Sequence, residues 1–305
     1  MNLFRPNPQK ILPTQITIDI SGVCNANCSF CLRQLTDDVP TSFMAREMFY
    51  EIMKQVRKIQ SIKVISLSAY GEALLHPNFD EFVEYLHKLK YRILVITNMS
   101  VVNKHYESLL KTHFLIMSVE GHNKETYEKY RKGLNFGQVE HNIIEFDKIV
   151  REARLYKEHT PSRMINCLLT KGTNLNKFKE KWAQYTDIIK INYMVNPISW
   201  NQTSKKFDNL ENADLEEEII NKNNRSERTM CKEPFKTIVV HPNGKLALCC
   251  NDANCSFDFG SYKEIKKSFY YNKNLNMIRK ELLDRTPFIC ENCSVNVMME
   301  DSLKN

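Results

Sequence analysis

Cys24-Asn25-Ala26-Asn27-Cys28-Ser29-Phe30-Cys31 places three cysteines within eight residues. The run follows Ile16, Ile18 and Ile20, whose alternation predicts a strand that ends at this loop. So short a loop offers three thiolates to a metal group rather than four. A cubane iron–sulfur cluster takes one thiolate per iron, so three cysteines leave one iron with an open position. An open position on a cysteine-held metal is what a chemical site keeps and a structural site closes. A zinc site that draws its fourth ligand from elsewhere fits the same spacing.

Outward from that loop, the chain of 305 residues is long enough to bury a proper core, as one large domain or one with a small appendage. Its apolar and charged fractions, 42% and 26%, are those of a globular protein. No run of eighteen apolar residues is present, so no membrane span is expected. The start, Met1-Asn2-Leu3-Phe4-Arg5-Pro6-Asn7-Pro8, has no apolar signal core, which points to the cytoplasm. Ten cysteines in such a chain favour metal binding over disulfides. The net charge of +7 is mild and its basic residues are scattered, so nucleic-acid binding is not indicated.

Apolar runs alternate with amphipathic stretches along the chain. Strands are predicted at Thr14–Ile20, Val64–Leu67, Ile93–Ile96, Phe114–Val119, Met164–Leu169 and Ile188–Tyr193. Helices are predicted at Ala45–Ile59, with Met48, Ile52, Val56 and Ile59 inward, and at Asn78–Leu89, with Phe79, Phe82, Val83 and Leu86 inward. A short helix precedes the fourth strand, and Gly137–Glu158 and Lys177–Tyr185 follow it. Continuously apolar strands separated by amphipathic helices indicate a parallel sheet covered by helices. Residues 201–230 turn polar and then acidic (Asp214, Glu216, Glu217, Glu218), which reads as a linker. Beyond it, Asn243-Gly244 between Ile238–His241 and Leu246–Cys249 predicts a hairpin, and Lys273–Leu283 a helix.

The spacing C-x-x-x-C-x-x-C, with an aromatic before the last cysteine and on the loop after the first strand, resembles the radical S-adenosylmethionine (radical SAM) enzymes. That resemblance implies an α/β fold, a partial (β/α)6 radical SAM barrel over residues 1–200. It also implies a [4Fe-4S] cluster on Cys24, Cys28 and Cys31 that binds S-adenosylmethionine at its open iron. Gly71-Glu72-Ala73 resembles the family's Gly-Glu-Pro segment, so Gly71 and Glu72 would face the methionyl amino group; Ala73 stands where proline is usual. Ser118-Val119-Glu120-Gly121 with the later Arg131 resembles a Ser-x-Asp-Gly stretch followed by an arginine. By that likeness Ser118 and Arg131 hold the cofactor carboxylate, a task the forked guanidinium suits. Asn98 would reach the ribose hydroxyls, and Phe30 would set its backbone beside the adenine. In a barrel of parallel strands the chemistry sits at the strands' C-terminal ends, where all these segments fall.

A second set of cysteines, Cys231, Cys249, Cys290 and Cys293, offers enough thiolates to close a cubane cluster. The pattern resembles the Twitch extension, the trimmed relative of the SPASM domain, and implies a second, auxiliary [4Fe-4S] cluster in a small cysteine-rich C-terminal extension, residues 231–305. A structural zinc site with four cysteine ligands fits that spacing too. Strand alternation lets one of Cys249 and Cys250 face the group, and the family pattern favours Cys249; Cys255 is a possible further ligand. Cys167 reads as core packing, and His76, His113, His122 and His241 show no ligand spacing.

The implied activity is reductive cleavage of S-adenosylmethionine to a 5′-deoxyadenosyl radical that takes a hydrogen atom from a substrate, as in an oxidoreductase. The reductant would be an external donor such as flavodoxin or ferredoxin. The expected substrate is a small polar molecule (a sugar, cyclitol or nucleotide sugar, oxidised or epimerised), because the short N-terminus holds no domain for a leader peptide. A radical SAM peptide maturase is the alternative enzyme, and a zinc-stabilised interaction or nucleic-acid module the alternative of another class. No general acid or base stands out.

Overall fold

Apolar runs that alternate with amphipathic stretches fold here into one largely parallel sheet with helices packed against it. The structure, a computed structural model, describes residues 12–35, 38–68, 70–168, 172–192, 231–255 and 257–284. Its strands are β1 (Gln15–Ile18), β2 (Val64–Leu67), β3 (Arg92–Thr97), β4 (Phe114–Ser118), β5 (Ser162–Leu168), β6 (Ile188–Asn192), β7 (Thr237–Val240) and β8 (Leu246–Ala247). They lie in the order β6-β5-β4-β3-β2-β1-β7-β8. Every pair from β6 across to β7 is parallel, and β7 with β8 is antiparallel. The first six strands occupy the places that the alternation predicts, with ends shifted by at most two residues.

The helices are α1 (Leu32–Leu35), α2 (Arg46–Val56), α3 (Phe79–Lys88), α4 (Tyr106–Leu110), α5 (Lys124–Tyr130), α6 (Phe136–Leu155), α7 (Leu175–Trp182), α8 (Glu233–Lys236), α9 (Ile265–Tyr271) and α10 (Lys273–Asp284). Ile16, Ile18, Ile65, Leu67, Ile93 and Val95 of the sheet are completely buried. Against them pack α2 and α3, where Phe49 stacks on Phe82 with ring centroids 3.9 Å apart. Each buried side chain of this size stabilises the fold by about 1.5–3 kcal/mol.

Three features depart from the sequence reading. In α2 the buried face is Phe49, Ile52, Met53 and Val56, and Met48 is only half-buried. Met48 looks instead at the β7–β8 turn, its sulfur 3.2 Å from where a side chain on Gly244 would begin. The helix thus serves two neighbours, and a single period does not reveal the second. Helix α5 has no apolar period at all: Tyr127 is its one buried residue, and the Asn123 side chain caps it by accepting from the Thr126 amide. Finally, β8 ends at Ala247, so Cys249 and Cys250 lie in the turn beyond it. Strand alternation therefore does not choose between these two cysteines.

The hairpin does form around Asn243-Gly244, with Gly244 at φ +80°. Its first strand joins the far edge of β1 in parallel, with Gln15 opposite Thr237 and Ile18 opposite Val240. The second cysteine region is thereby continuous with the barrel sheet. Residues 201–230, Cys290 and Cys293 lie outside the described residues.

Candidate active site

The loop after β1 is laced to the end of α5. Asn27 donates to the Lys132 carbonyl at 2.7 Å and Ser29 to the Tyr130 carbonyl at 3.1 Å. Gly133, at φ +89°, lets the two segments meet: a side chain there would begin 3.1 Å from the Asn25 carbonyl oxygen. Within the loop the Cys24 sulfur accepts from the Ala26 amide, and Cys31 donates to the Cys28 carbonyl. Cys28 is buried, Cys24 and Cys31 are half-buried, and all three thiols are free. Burial pushes the Cys28 thiol up to about 11 and raises Cys24 as well.

Gly71 and Glu72 hold this loop from β2. A methyl on Gly71 would sit 1.8 Å from the Ser21 carbonyl oxygen, so only glycine fits. Glu72 donates through its amide to the Val23 carbonyl. Its buried carboxylate accepts from the Asn98 amide at 2.7 Å and the Leu74 amide at 3.2 Å. Burial raises its pKa against those hydrogen bonds. Glu72 therefore braces the ends of β2 and β3. Asn98 in turn donates to Asn25 Oδ1 at 3.1 Å and lies 4.0 Å from the Cys24 sulfur. Asn25 also donates to the Ser100 hydroxyl, and the Asn142 side chain of α6 donates to the carbonyls of Met99 and Ser100.

Arg131 closes the site from α5. Its guanidinium is ion-paired with Glu120, both side chains being buried, and lies over the Phe30 ring at 5.5 Å from the centroid. Burial opposes its charge, but Glu120 outweighs that and holds it more basic than usual. The other Glu120 oxygen accepts from the Leu168 amide at 3.4 Å, which ties the pair to β5. Ser118 is half-buried at the end of β4, opposite Asn166. The structure thus brings Cys24, Cys28, Cys31, Phe30, Gly71, Glu72, Asn98 and Arg131 around one end of the sheet, with Ser118 on the same rim.

The second set is described in part. Cys231, Cys249 and Cys255 are half-buried and Cys250 is exposed. Asn251 donates to the Cys249 sulfur, and the Tyr70 hydroxyl to the Cys250 carbonyl. Tyr70 also stacks on His241, with centroids 5.5 Å apart. His241 is completely buried: Nε2 lies 2.9 Å from the Asp252 carbonyl oxygen and Nδ1 3.5 Å from the Asp19 carboxylate. Oxygens thus face both ring nitrogens, which favours the charged form of the ring. Burial opposes that charge, but Asp19 and Cys255 outweigh it and push the pKa up to about 10. Asp19, His241 and Tyr70 carry no spacing signal, since their partners lie far along the chain. Buried Cys167 belongs to the core, its thiol pushed up to about 12 by burial.

The donor set fits an iron–sulfur group. A cubane asks for one thiolate at each of three irons, and Cys24, Cys28 and Cys31 offer three thiols on one loop. Two buried donors at the loop, the Tyr127 hydroxyl and Arg33 Nε, have no hydrogen-bond partner among the described residues. Three sulfurs beside spare donors suit an anionic group better than a bare cation.

A family model described as the Radical SAM superfamily matches residues 18–181. Among curated proteins, the antilisterial bacteriocin subtilosin biosynthesis protein AlbA of Bacillus subtilis (strain 168) is 22% identical over 259 residues, 78% of this chain and 55% of AlbA. The chain thus spans about half of that relative, and 34% or less of the other curated relatives it matches. Among solved structures, BtrN in complex with AdoMet and 2-DOIA superposes with a TM-score of 0.56 at 17% identity, covering 92% of this chain and 93% of BtrN. Streptococcus suis SuiB bound to precursor peptide SuiA gives a TM-score of 0.64 at 13% identity, over 95% and 72% of the two chains. At these identities the superpositions speak to the fold.

Proposed function

The chain belongs to the radical SAM superfamily, and from that premise we propose that it abstracts a hydrogen atom from a small polar substrate, a sugar, cyclitol or nucleotide sugar. The observation that carries the reading is the convergence of the Cys24–Cys31 loop, Glu72, Asn98 and the Glu120–Arg131 pair at the C-terminal ends of the strands. When bound, the [4Fe-4S] group on Cys24, Cys28 and Cys31 supplies the electron that cleaves S-adenosylmethionine to a 5′-deoxyadenosyl radical. The protein's own share is to bind, orient and exclude water. Arg131 and Ser118 take the methionyl carboxylate, and Glu120 keeps the Arg131 fork charged and aimed. The Gly71–Glu72 segment faces the amino group, Asn98 the ribose, and Phe30 the adenine.

Cys231, Cys249, Cys290 and Cys293 would hold an auxiliary cluster, which would supply an electron acceptor for the substrate or a wall of its pocket. An external flavodoxin or ferredoxin supplies the first electron, and the protein works in the cytoplasm; no helix among the described residues is long and apolar enough to cross a membrane. The near-complete mutual coverage with BtrN, whose structure holds 2-DOIA, favours a small substrate. The AlbA likeness over 78% of the chain favours a second reading, a peptide maturase. Reduced protein, loaded with S-adenosylmethionine, separates the two when offered ring-deuterated sugars and nucleotide sugars. Deuterium carried into 5′-deoxyadenosine is the expected result; deuterium arriving only from a labelled peptide contradicts it.

A further inference from the structure

The Tyr127 side chain is completely buried, yet its hydroxyl has no hydrogen-bond partner among the described residues. An unmade hydrogen bond on a buried hydroxyl costs stability, so such a group calls for a missing acceptor. Arg33 Nε, the other unpartnered buried donor at the loop, belongs to a half-buried residue, whereas Tyr127 is buried along its whole side chain. Tyr127 lies one helical turn before Arg131, whose amide donates to its carbonyl at 2.9 Å, so the two side chains leave the same face. The ionisable groups that act electrostatically on its hydroxyl are Arg131, Glu120, Cys28 and Glu72, all residues of the first site or its loop. Its ring is held from behind by Phe136, with centroids 5.5 Å apart, and its amide lies 2.8 Å from where a side chain on Gly121 would begin. The ring is therefore fixed in place, and its hydroxyl is left over.

We propose that Tyr127 is a positioning residue of the first site, its hydroxyl donating a hydrogen bond to an anionic acceptor that arrives with the cofactor. The acceptor is either a sulfur of the cluster at the Cys28 corner or the methionyl carboxylate beside Arg131. The proposal rests on the reading of Cys24, Cys28 and Cys31 as the cluster-binding trio. It explains why α5, a helix with no apolar face of its own, delivers one large aromatic side chain into the core at this point. Phenylalanine would fill that space equally well, so packing gives no reason for the hydroxyl.

Tyr127→Phe tests this with a reversal of sign between the empty and the loaded protein. In the metal-free chain, removing an unpartnered buried hydroxyl leaves the melting temperature unchanged or raises it. In the reconstituted chain the same change removes a hydrogen bond to a charged acceptor, and about a tenfold loss in cofactor binding follows. If the acceptor is the carboxylate, the Kd for S-adenosylmethionine rises about tenfold while the cluster's potential without S-adenosylmethionine stays put. If it is a sulfur, that potential falls in the absence of S-adenosylmethionine, because a donor that eases reduction is gone. A lower melting temperature in the metal-free variant, or an unchanged Kd together with an unchanged potential, overturns the proposal. A wild-type chain that binds no iron at Cys24, Cys28 and Cys31 removes the underlying reading instead, and it does so before any variant is made.

Discussion

Among single residues, Gly71 carries the tightest constraint. Its backbone passes so close to Ser21 and Val23 that the strand-two loop and the cysteine loop share one wall. Gly71→Ala is expected to destabilise the metal-free chain by about 2 kcal/mol, as overpacking of a close backbone contact does. A urea unfolding midpoint equal to that of the wild type would show that the two loops are not in contact. Much of this was legible in the sequence, because cysteine spacing and glycine placement are local signals. The partners of those residues were not. The Glu72 carboxylate binds the Asn98 and Leu74 amides, partners that the Gly-Glu spacing does not announce. Glu120 left its role open until its pairing with Arg131 was seen. A side chain's acceptor far along the chain leaves no mark in local spacing.

At the level of elements, the junction between β1 and β7 joins the two cysteine regions. Asn-Gly announced the hairpin, because turn chemistry is local. That β7 would add in parallel to the edge of β1 was not announced, since the choice of edge is tertiary. Two groups without any motif face each other across that junction: Asp19 just past β1 and His241 just past β7. Cys255 and the Asp252 carbonyl face the same ring, and Tyr70 stacks on it. The folded pKa of His241, about 10, lies above its ordinary value of 6.5. Its contribution to stability is therefore complete below about pH 6.5 and lost as pH rises through about 10. Urea unfolding of metal-free protein across that range should show the wild type losing more stability than Asp19→Asn. Parallel pH profiles for the two proteins would rule out the charged pair.

For the molecule as a whole, the sheet order follows the chain order from β1 to β6, so each βα unit adds one wall and one rim segment. That regularity is why six strands could be placed from hydrophobic period alone. It is also why the cysteine loop, Glu72, Asn98 and Glu120 arrive at the same end. What period could not show is how the C-terminal region closes on the barrel, because α2 and β1 each serve two neighbours. The most direct test is anaerobic reconstitution with iron and sulfide, followed by reduction in the presence of S-adenosylmethionine and quantitation of 5′-deoxyadenosine. The wild type and Cys290→Ala should both form it, and the chain with Cys24, Cys28 and Cys31 all changed to Ala should form none. A wild-type chain with a fully loaded first cluster and no 5′-deoxyadenosine would contradict the account.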